Sequence, residues 1–315
     1  MVTHHLEPTA DNVADVFNRD RRPVLTVDPG ESIVVRSLDA SGYLSPQQHP
    51  GDKPPTMFAG SRGHCLTGPI AVKGAQPGMV LAVRLMAIRP DDWGWTVAAA
   101  MDNPLNRRLG VAEGPPARLL WQIDADAGTA TSDRGFRVRT APFLGVIGVA
   151  PAGPGDHSTI PPRAGSGGNI DCRELVAGSI LYLPVAVPGA LLSLGDGHAA
   201  QGDGEVGGTA IECPMTTELV VDLVTEPALP TIHAVTPTAR VTFGFDADLN
   251  AALGDALDDM LTWMQALYEL DRPAALALAS TVVDLRITQV ANQVWGVHAV
   301  LADDAIERVP PGVHG

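Results

Sequence analysis

Lysine is nearly absent from this chain. Only Lys53 and Lys73 occur among 315 residues, and the formal net charge is −15. Phosphate contacts need clustered Lys and Arg, so the composition argues against a nucleic-acid partner. The acidity itself reads as a solubility feature. Cysteine is scarce as well. Cys65, Cys172 and Cys213 form no CxxC pair and are too few for a disulfide framework. No apolar run approaches the ~20 residues that span a bilayer. The start, Met1 to Glu7, lacks a basic segment followed by an apolar one, so no signal peptide is expected. The expectation is a soluble cytoplasmic protein with no membrane and no nucleic-acid partner. Several catalytic signatures are missing too: GxxxxGK[ST], HExxH and GxSxG. Lys73 falls in an expected strand and Lys53 in a Pro-rich loop, so neither suggests a catalytic lysine.

What is present reads mostly as β-structure. Pro23–Val27, the turn Asp28-Pro29-Gly30-Glu31 and Ser32–Leu38 form one hairpin-like unit. Ile70–Ala75, Gln76-Pro77-Gly78 and Val80–Leu85 repeat the device. Glu174–Ser179 leading into Ile180–Tyr182 is a looser copy, and Ser179–Val187 reads as a strand pair near a bend. Many short strands with Pro-Gly turns predict a distorted β-sandwich or barrel-like body over residues 1–245, with two related β-subdomains as one reading. An α+β part is expected over 246–315. There Asp248 is a good N-cap. Leu249, Ala252, Leu253, Ala256, Leu257, Met260, Leu261, Met264 and Leu267 recur at helical spacing, as core or an oligomer face. Pro273 opens a second helix through Ser280. Val283–Val290 alternates like a strand.

The chemistry concentrates in Gly195–Val206, GDGHAAQGDGEV, and in Gly165–Asp171. Carboxylates and imidazole are metal ligands and proton carriers, and glycine allows close approach. Asp196 and His198 are two apart. On a strand they share a face, and in a glycine-rich loop they can converge on one ion. Asp171 can arrive from the neighbouring loop, and Glu205 and Glu212 follow. A divalent ion so held would lower the pKa of a water to roughly 7 and polarise a carbonyl, while a remaining carboxylate moves the proton. Two plainer readings stay open: turn-forming Asp-Gly pairs, and a calcium clip that stabilises the loop. His64 lies at a strand entry near the site. His4, His5, His157 and His314 read as surface residues, and Cys172 as a buried inert thiol.

Residues 67–78 (TGPIAVKGAQPG), 144–151 (LGVIGVAP), 167–171 (GGNID), 181–185 (LYLPV), 188–191 (PGAL), 195–206, 210–212 (AIE) and 280–290 (STVVDLRITQV) resemble the acetamidase/formamidase family. The resemblance covers about residues 20 to 305. It implies a distorted β-sandwich with an α+β part, hydrolysis of formamide or acetamide to ammonia and the acid, a divalent metal, and a homo-oligomer. Zinc is the expected metal, with calcium as the rival. The resemblance implies Asp171, Asp196 and His198 as metal ligands and Glu205 as general base or ligand, beside Asp196 and His198 in catalysis. Asn169 and His64 would meet the substrate. Two departures stand out: His64-Cys65 where relatives more often carry Asn-Pro, and Lys73 where an acid is common. The first puts substrate choice in question. Alternatives are a hydrolase for a larger or cyclic amide and a non-catalytic metal- or ligand-binding protein.

Overall fold

The computed structural model describes residues 3–99 and 102–308. His314, read as a surface residue, lies outside them. Two large sheets share one core. Their apolar faces meet through Ile33, Val35, Leu81, Val83, Leu219 and Val221 on one side and Ile70, Val72, Ile147, Leu192 and Leu194 on the other. This is a distorted sandwich whose sheets stay open rather than closing into a barrel.

The nine-stranded sheet runs Thr3–Leu6, Ser32–Ser37, Met215–Val224, Val80–Pro90, Ile180–Pro184, His233–Val235, Ala239–Asp246, Trp295–Ala302, Val283–Gln289. Met215–Val224 shows why these residues form a strand: Met215, Thr217, Leu219 and Val221 are buried while Glu218 and Asp222 face solvent. The second sheet has eleven strands. Its centre is Leu192–His198, which pairs with Phe143–Gly148, Leu66–Val72 and Glu212–Cys213. Leu192–His198, Leu66–Val72 and Phe143–Gly148 are buried along their whole length. The candidate site is therefore carried on the least deformable part of the molecule.

The Pro-Gly turns form, but neither closes a hairpin: Leu25–Val27 and Leu66–Val72 lie in the eleven-stranded sheet and Ser32–Ser37 and Val80–Pro90 in the nine-stranded one, so each turn carries the chain from one sheet to the other. Gly78 supplies φ +93°, a left-handed value that suits glycine. The expected strand at Pro23 starts only at Leu25. Ser179–Val187 holds one strand, Ile180–Pro184, and not two. Pro184 and Pro188 have no N–H to give a ladder, so the chain turns instead. Glu174–Ser179 is turn rather than strand.

The long helix spans Leu249–Tyr268, with Asp248 accepting from the Asn250 N–H. It lays Ala252, Ala256, Met260, Leu261 and Met264 on strands Ala239–Asp246 and Trp295–Ala302. Leu253 and Leu267 of the apolar stripe stay exposed. The second helix, Arg272–Val282, starts one residue before the expected Pro273 and runs two beyond the expected Ser280, capped by Asp271. No helix among the described residues is long and apolar enough to cross a membrane.

Candidate active site

Gly195–His198 is not loop but the end of the central strand Leu192–His198. A loop reading fails here because glycines in a strand mark close backbone approach as well as turns. A Cβ at Gly195 would lie 2.6 Å from the Cys65 carbonyl, and one at Gly197 2.6 Å from the Cys213 carbonyl. Both strand neighbours need the room. The loop proper begins at Ala199 and runs through a turn at Glu205, whose N–H reaches the Gly202 carbonyl at 3.2 Å.

Five buried side chains meet at this strand end. Asp171, Asp196 and His198 bring ligand atoms within 4.8 Å of one another, and so do His198, Glu205 and Glu212. His198 Nε2 lies 3.5 Å from Asp196 Oδ2 and 3.3 Å from Glu212 Oε2. His198 and Glu212 are direct cross-strand partners. The other Glu212 oxygen, Oε1, accepts from the Ala210 N–H at 2.9 Å. His64 approaches from the far side, its Nε2 3.8 Å from Asp196 Oδ2. Thr159 Oγ1 accepts the His64 backbone N–H at 2.8 Å and also sits 3.0 Å from its Nδ1.

Gln201 sets the imidazole. Its Nε2 donates to the Asp171 carbonyl at 2.7 Å, which fixes the amide so that Oε1 faces His198 Nδ1 at 2.9 Å. Oε1 can only accept, so Nδ1 carries a proton. The other ring nitrogen, Nε2, faces two carboxylates. His198 Nε2, Glu212 Oε2, both oxygens of Asp171 and Asn169 Oδ1 are buried with no hydrogen-bond partner. Orphaned buried polar atoms are costly, and here they face one another.

Gly145 forms the floor. A Cβ there would lie 2.5 Å from Asp196 Oδ2, 2.7 Å from His198 Cε1 and 2.8 Å from Asp171 Oδ1. Only a residue without a side chain leaves the three groups this close.

Four carboxylates surround one fully buried imidazole, with His64 half-buried beside them. Burial lifts Asp171 well above the carboxylate range, reinforced by the charge of Glu205. Burial pushes Glu205 to about 7 and Glu212 to about 8. Burial acts upward on Asp196 too, but the charges of His64 and His198 outweigh it and hold the carboxyl below its ordinary value. Desolvation acts downward on His198, and the charges of Glu212 and Asp196 overcome it and drive it well up. The cluster attracts a proton or another cation.

Such a donor set fits a divalent metal. Imidazole nitrogen with carboxylate oxygen suits zinc, whereas calcium takes oxygen alone. Among the described residues no thiol joins the group; the three cysteines are buried elsewhere and unpaired.

A cavity of about 160 Å³ opens beside the cluster, lined by His64, Asn169, Asp171, Asp196, Glu205 and Glu212 together with Thr209, Ala291 and Asn292. So the structure brings together every residue that the sequence singled out: Asn169, Asp171, Asp196, His198, Glu205 and His64. Sequence reasoning noticed Glu212 and Gln201 but gave them no role of their own, and it assigned none to Thr159, Gly145 or Asn292. Glu212 had a signal, because Glu212-Cys213 reads as a strand that can pair with Asp196–His198. Asn292 had none, being nearly ninety positions from the loop it faces. Lys73 is exposed and paired with Asp28 at 2.7 Å, and Lys53 is an exposed loop residue, so neither reaches the site.

The profile of the Acetamidase/Formamidase family matches residues 3–156 and 153–237. An acetamidase of Mycolicibacterium smegmatis is 29% identical over 218 residues, covering 51% of this chain and 53% of that protein. A formamidase of Methylophilus methylotrophus is 26% identical over 245 residues, covering 60% and 58%. The chain thus spans a little over half the length of these two relatives. The crystal structure of an acetamidase from Bacillus halodurans matches with a TM-score of 0.83 at 28% identity, covering 95% of this chain and 97% of that one.

Proposed function

The chain belongs to the acetamidase/formamidase family and is an amidase, and we propose that it hydrolyses a small aliphatic amide, formamide or acetamide, with the help of a bound zinc ion. The observation that carries the metal is the set of orphaned ligand atoms over Gly145. The names of the relatives support amide hydrolysis. The cavity supports a small substrate, since about 160 Å³ is roughly half the lower end of the range for drug-sized ligands.

Asp171, Asp196 and His198 are the residues that would hold the ion, with Glu212 in reach of the same imidazole. When bound, the ion supplies Lewis acidity toward the amide carbonyl and toward water. The remaining work falls to the protein. Gln201 keeps the His198 Nε2 lone pair free. Asn169 and His64 meet the substrate at the cavity wall. Glu205 takes the proton of the attacking water and hands it to the departing nitrogen. The water oxygen bonds to the carbonyl carbon, the C–N bond breaks, and ammonia leaves. The buried walls keep bulk water from competing.

Ammonia release from formamide and acetamide by purified, zinc-supplied protein tests this reading. Asp196→Ala should abolish release, and Glu205→Gln should lower kcat at least ~10²-fold. An unchanged rate in Glu205→Gln would remove it as the base. Folded wild-type protein that releases no ammonia from either amide would overturn the small-amide assignment.

A further inference from the structure

The C-terminal hairpin, outside the residues matched by the family profile, reaches into the active-site cavity. Strands Val283–Gln289 and Trp295–Ala302 are joined by residues 290–294, and Ala291 and Asn292 of that turn line the same cavity as Asp171, Asp196 and Glu205. The turn is held from both sides. Val290 donates to the Gly204 carbonyl at 2.9 Å, and Gly204 donates to Thr288 at 3.1 Å, so the turn is tied to the loop that carries Glu205. Fully buried Gln289 closes it from within. Its Nε2 donates to the Val294 carbonyl at 2.7 Å and its Oε1 accepts from the Ala291 N–H at 2.8 Å. The backbone that presents Asn292 is thus fixed in place.

Asn292 is oriented too. Its Oδ1 accepts the Val294 N–H at 2.8 Å, an interaction that only the oxygen can make, so the amide cannot be turned over. That leaves Nδ2 as the free end. It is buried and has no partner. On the same cavity, Asn169 Oδ1 is likewise buried and without a partner. One wall group is a donor in want of an acceptor, and the other an acceptor in want of a donor. A primary carboxamide offers both: a carbonyl oxygen and an NH2.

We propose that Asn292 is a substrate-binding residue that donates from Nδ2 to the carbonyl oxygen of a primary amide, while Asn169 Oδ1 accepts from its NH2. This rests on the amidase reading above and gives the residues that would select an unsubstituted amide. N-alkylation of the substrate removes a donor and puts carbon against Asn169. Asn292 Oδ1 bonds within its own turn, and the free Nδ2 would donate to the oxygen on which charge grows as water adds, so its loss acts on binding and on the transition state while leaving the proposed metal ligands in place.

The test compares steady-state kinetics on acetamide for wild type, Asn292→Ala and Asn292→Asp. The Asp variant keeps the acceptor for Val294 and so keeps the turn, but it replaces the donor with a charge. One lost hydrogen bond to the reacting carbonyl oxygen corresponds to a fall in kcat/KM of about tenfold or more for Asn292→Ala, with zinc content unchanged. Asn292→Asp should lower kcat/KM at least as much. Wild type should also prefer acetamide to N-methylacetamide. A kcat/KM unchanged in both variants overturns the assignment while leaving the amidase reading intact. Should wild type turn over no amide, that reading fails separately. Acetamide binding followed by ligand-observed NMR then decides: weaker binding in Asn292→Ala supports the contact, and equal or absent binding overturns it.

Discussion

Replacing Gly145 with alanine is the sharpest probe of the proposed metal centre. Gly145 does not use a left-handed backbone, so alanine meets no conformational objection there. The whole effect comes from the added methyl. It would stand 2.5 Å from Asp196 Oδ2, 2.7 Å from His198 Cε1 and 2.8 Å from Asp171 Oδ1, and real contacts of this kind essentially never fall under 3.0 Å. The three groups must therefore retreat by at least about 0.5, 0.3 and 0.2 Å. Metal–ligand distances tolerate only about ±0.2 Å. Overpacking costs about 1–3 kcal/mol, partly offset by the ~0.4–1 kcal/mol that a glycine-to-alanine change contributes through the unfolded chain. The net loss, at most about 2.5 kcal/mol, leaves the fold populated in a domain of ordinary stability. The expected result is a folded protein whose zinc affinity has fallen at least ~10-fold. Zinc content after dialysis and chelator competition measure it, with thermal unfolding as the check on folding. Gly202→Ala is the matched control, since nothing lies within 4 Å of its added Cβ. A Gly145→Ala protein that binds zinc as wild type does would refute the reasoning, because the three groups would then not be the ligands.

Two further outcomes follow from the same geometry. Gln201→Ala should weaken zinc binding by ~10- to 100-fold in chelator competition, the usual effect of removing the partner that orients a ligating histidine; unchanged affinity would mean that Gln201 does not set the His198 ring. Burial lowers His298 to about 3, so it stays neutral in the folded protein while the unfolded chain protonates it near 6.5. Its contribution is fully present above about pH 6.5 and is lost as pH falls toward 3; at pH 5 the loss is about 2 kcal/mol, 1.5 units at 1.36 kcal/mol each. Glu205 and Glu212, raised by burial, drive stability the opposite way, so the test is a difference: the urea-unfolding gap between wild type and His298→Gln should narrow by about 2 kcal/mol from pH 7.5 to pH 5. A gap that stays constant would show that His298 titrates alike in both states.

The parts of this molecule that follow local rules were legible in its sequence. The helix at Leu249–Tyr268 announced itself through a 3.6-residue period and an Asp cap, and the turns through Pro-Gly pairs, although each joins two sheets and closes no hairpin. The glycine–acid stretch stood out because Asp, Glu and His have no business in a core unless partnered. What the sequence hid is what depends on closeness between distant segments. Gly195–His198 looks like loop because glycine is read as a turn former, yet here its missing Cβ admits the Cys65 and Cys213 carbonyls. Gly145 carries no local signal at all. Its importance lies in the three side chains from other segments that press on it. Asn292 belongs to a turn whose position is decided by sheet order, and sheet order is not written in any window of the chain.

Strain and unmet polarity fall on the same residues, and this argues against a purely structural cluster. Asp171, Asp196 and Glu205 adopt φ values of +52°, +57° and +42°. Each such conformation costs a non-glycine residue on the order of 1–3 kcal/mol and persists only where its surroundings overdetermine it. Glycine would relieve it, and the surrounding segments use glycine freely. Two of these residues carry a further cost, because both Asp171 oxygens are orphaned and Glu205 is buried among like charges. A turn-forming role explains the backbone but not the carboxylates. A salt-bridge role accounts for Asp196 beside His64 and His198 but not for Asp171, Glu205 and Glu212, whose burial raises their hold on a proton. A ligand bound only by the folded state answers both, because its binding free energy adds to folding in proportion to the fit of the site that the strain creates. The fully buried strands Leu192–His198 and Phe143–Gly148 make this feasible. They can hold three side chains in unfavourable poses because nothing around them can give.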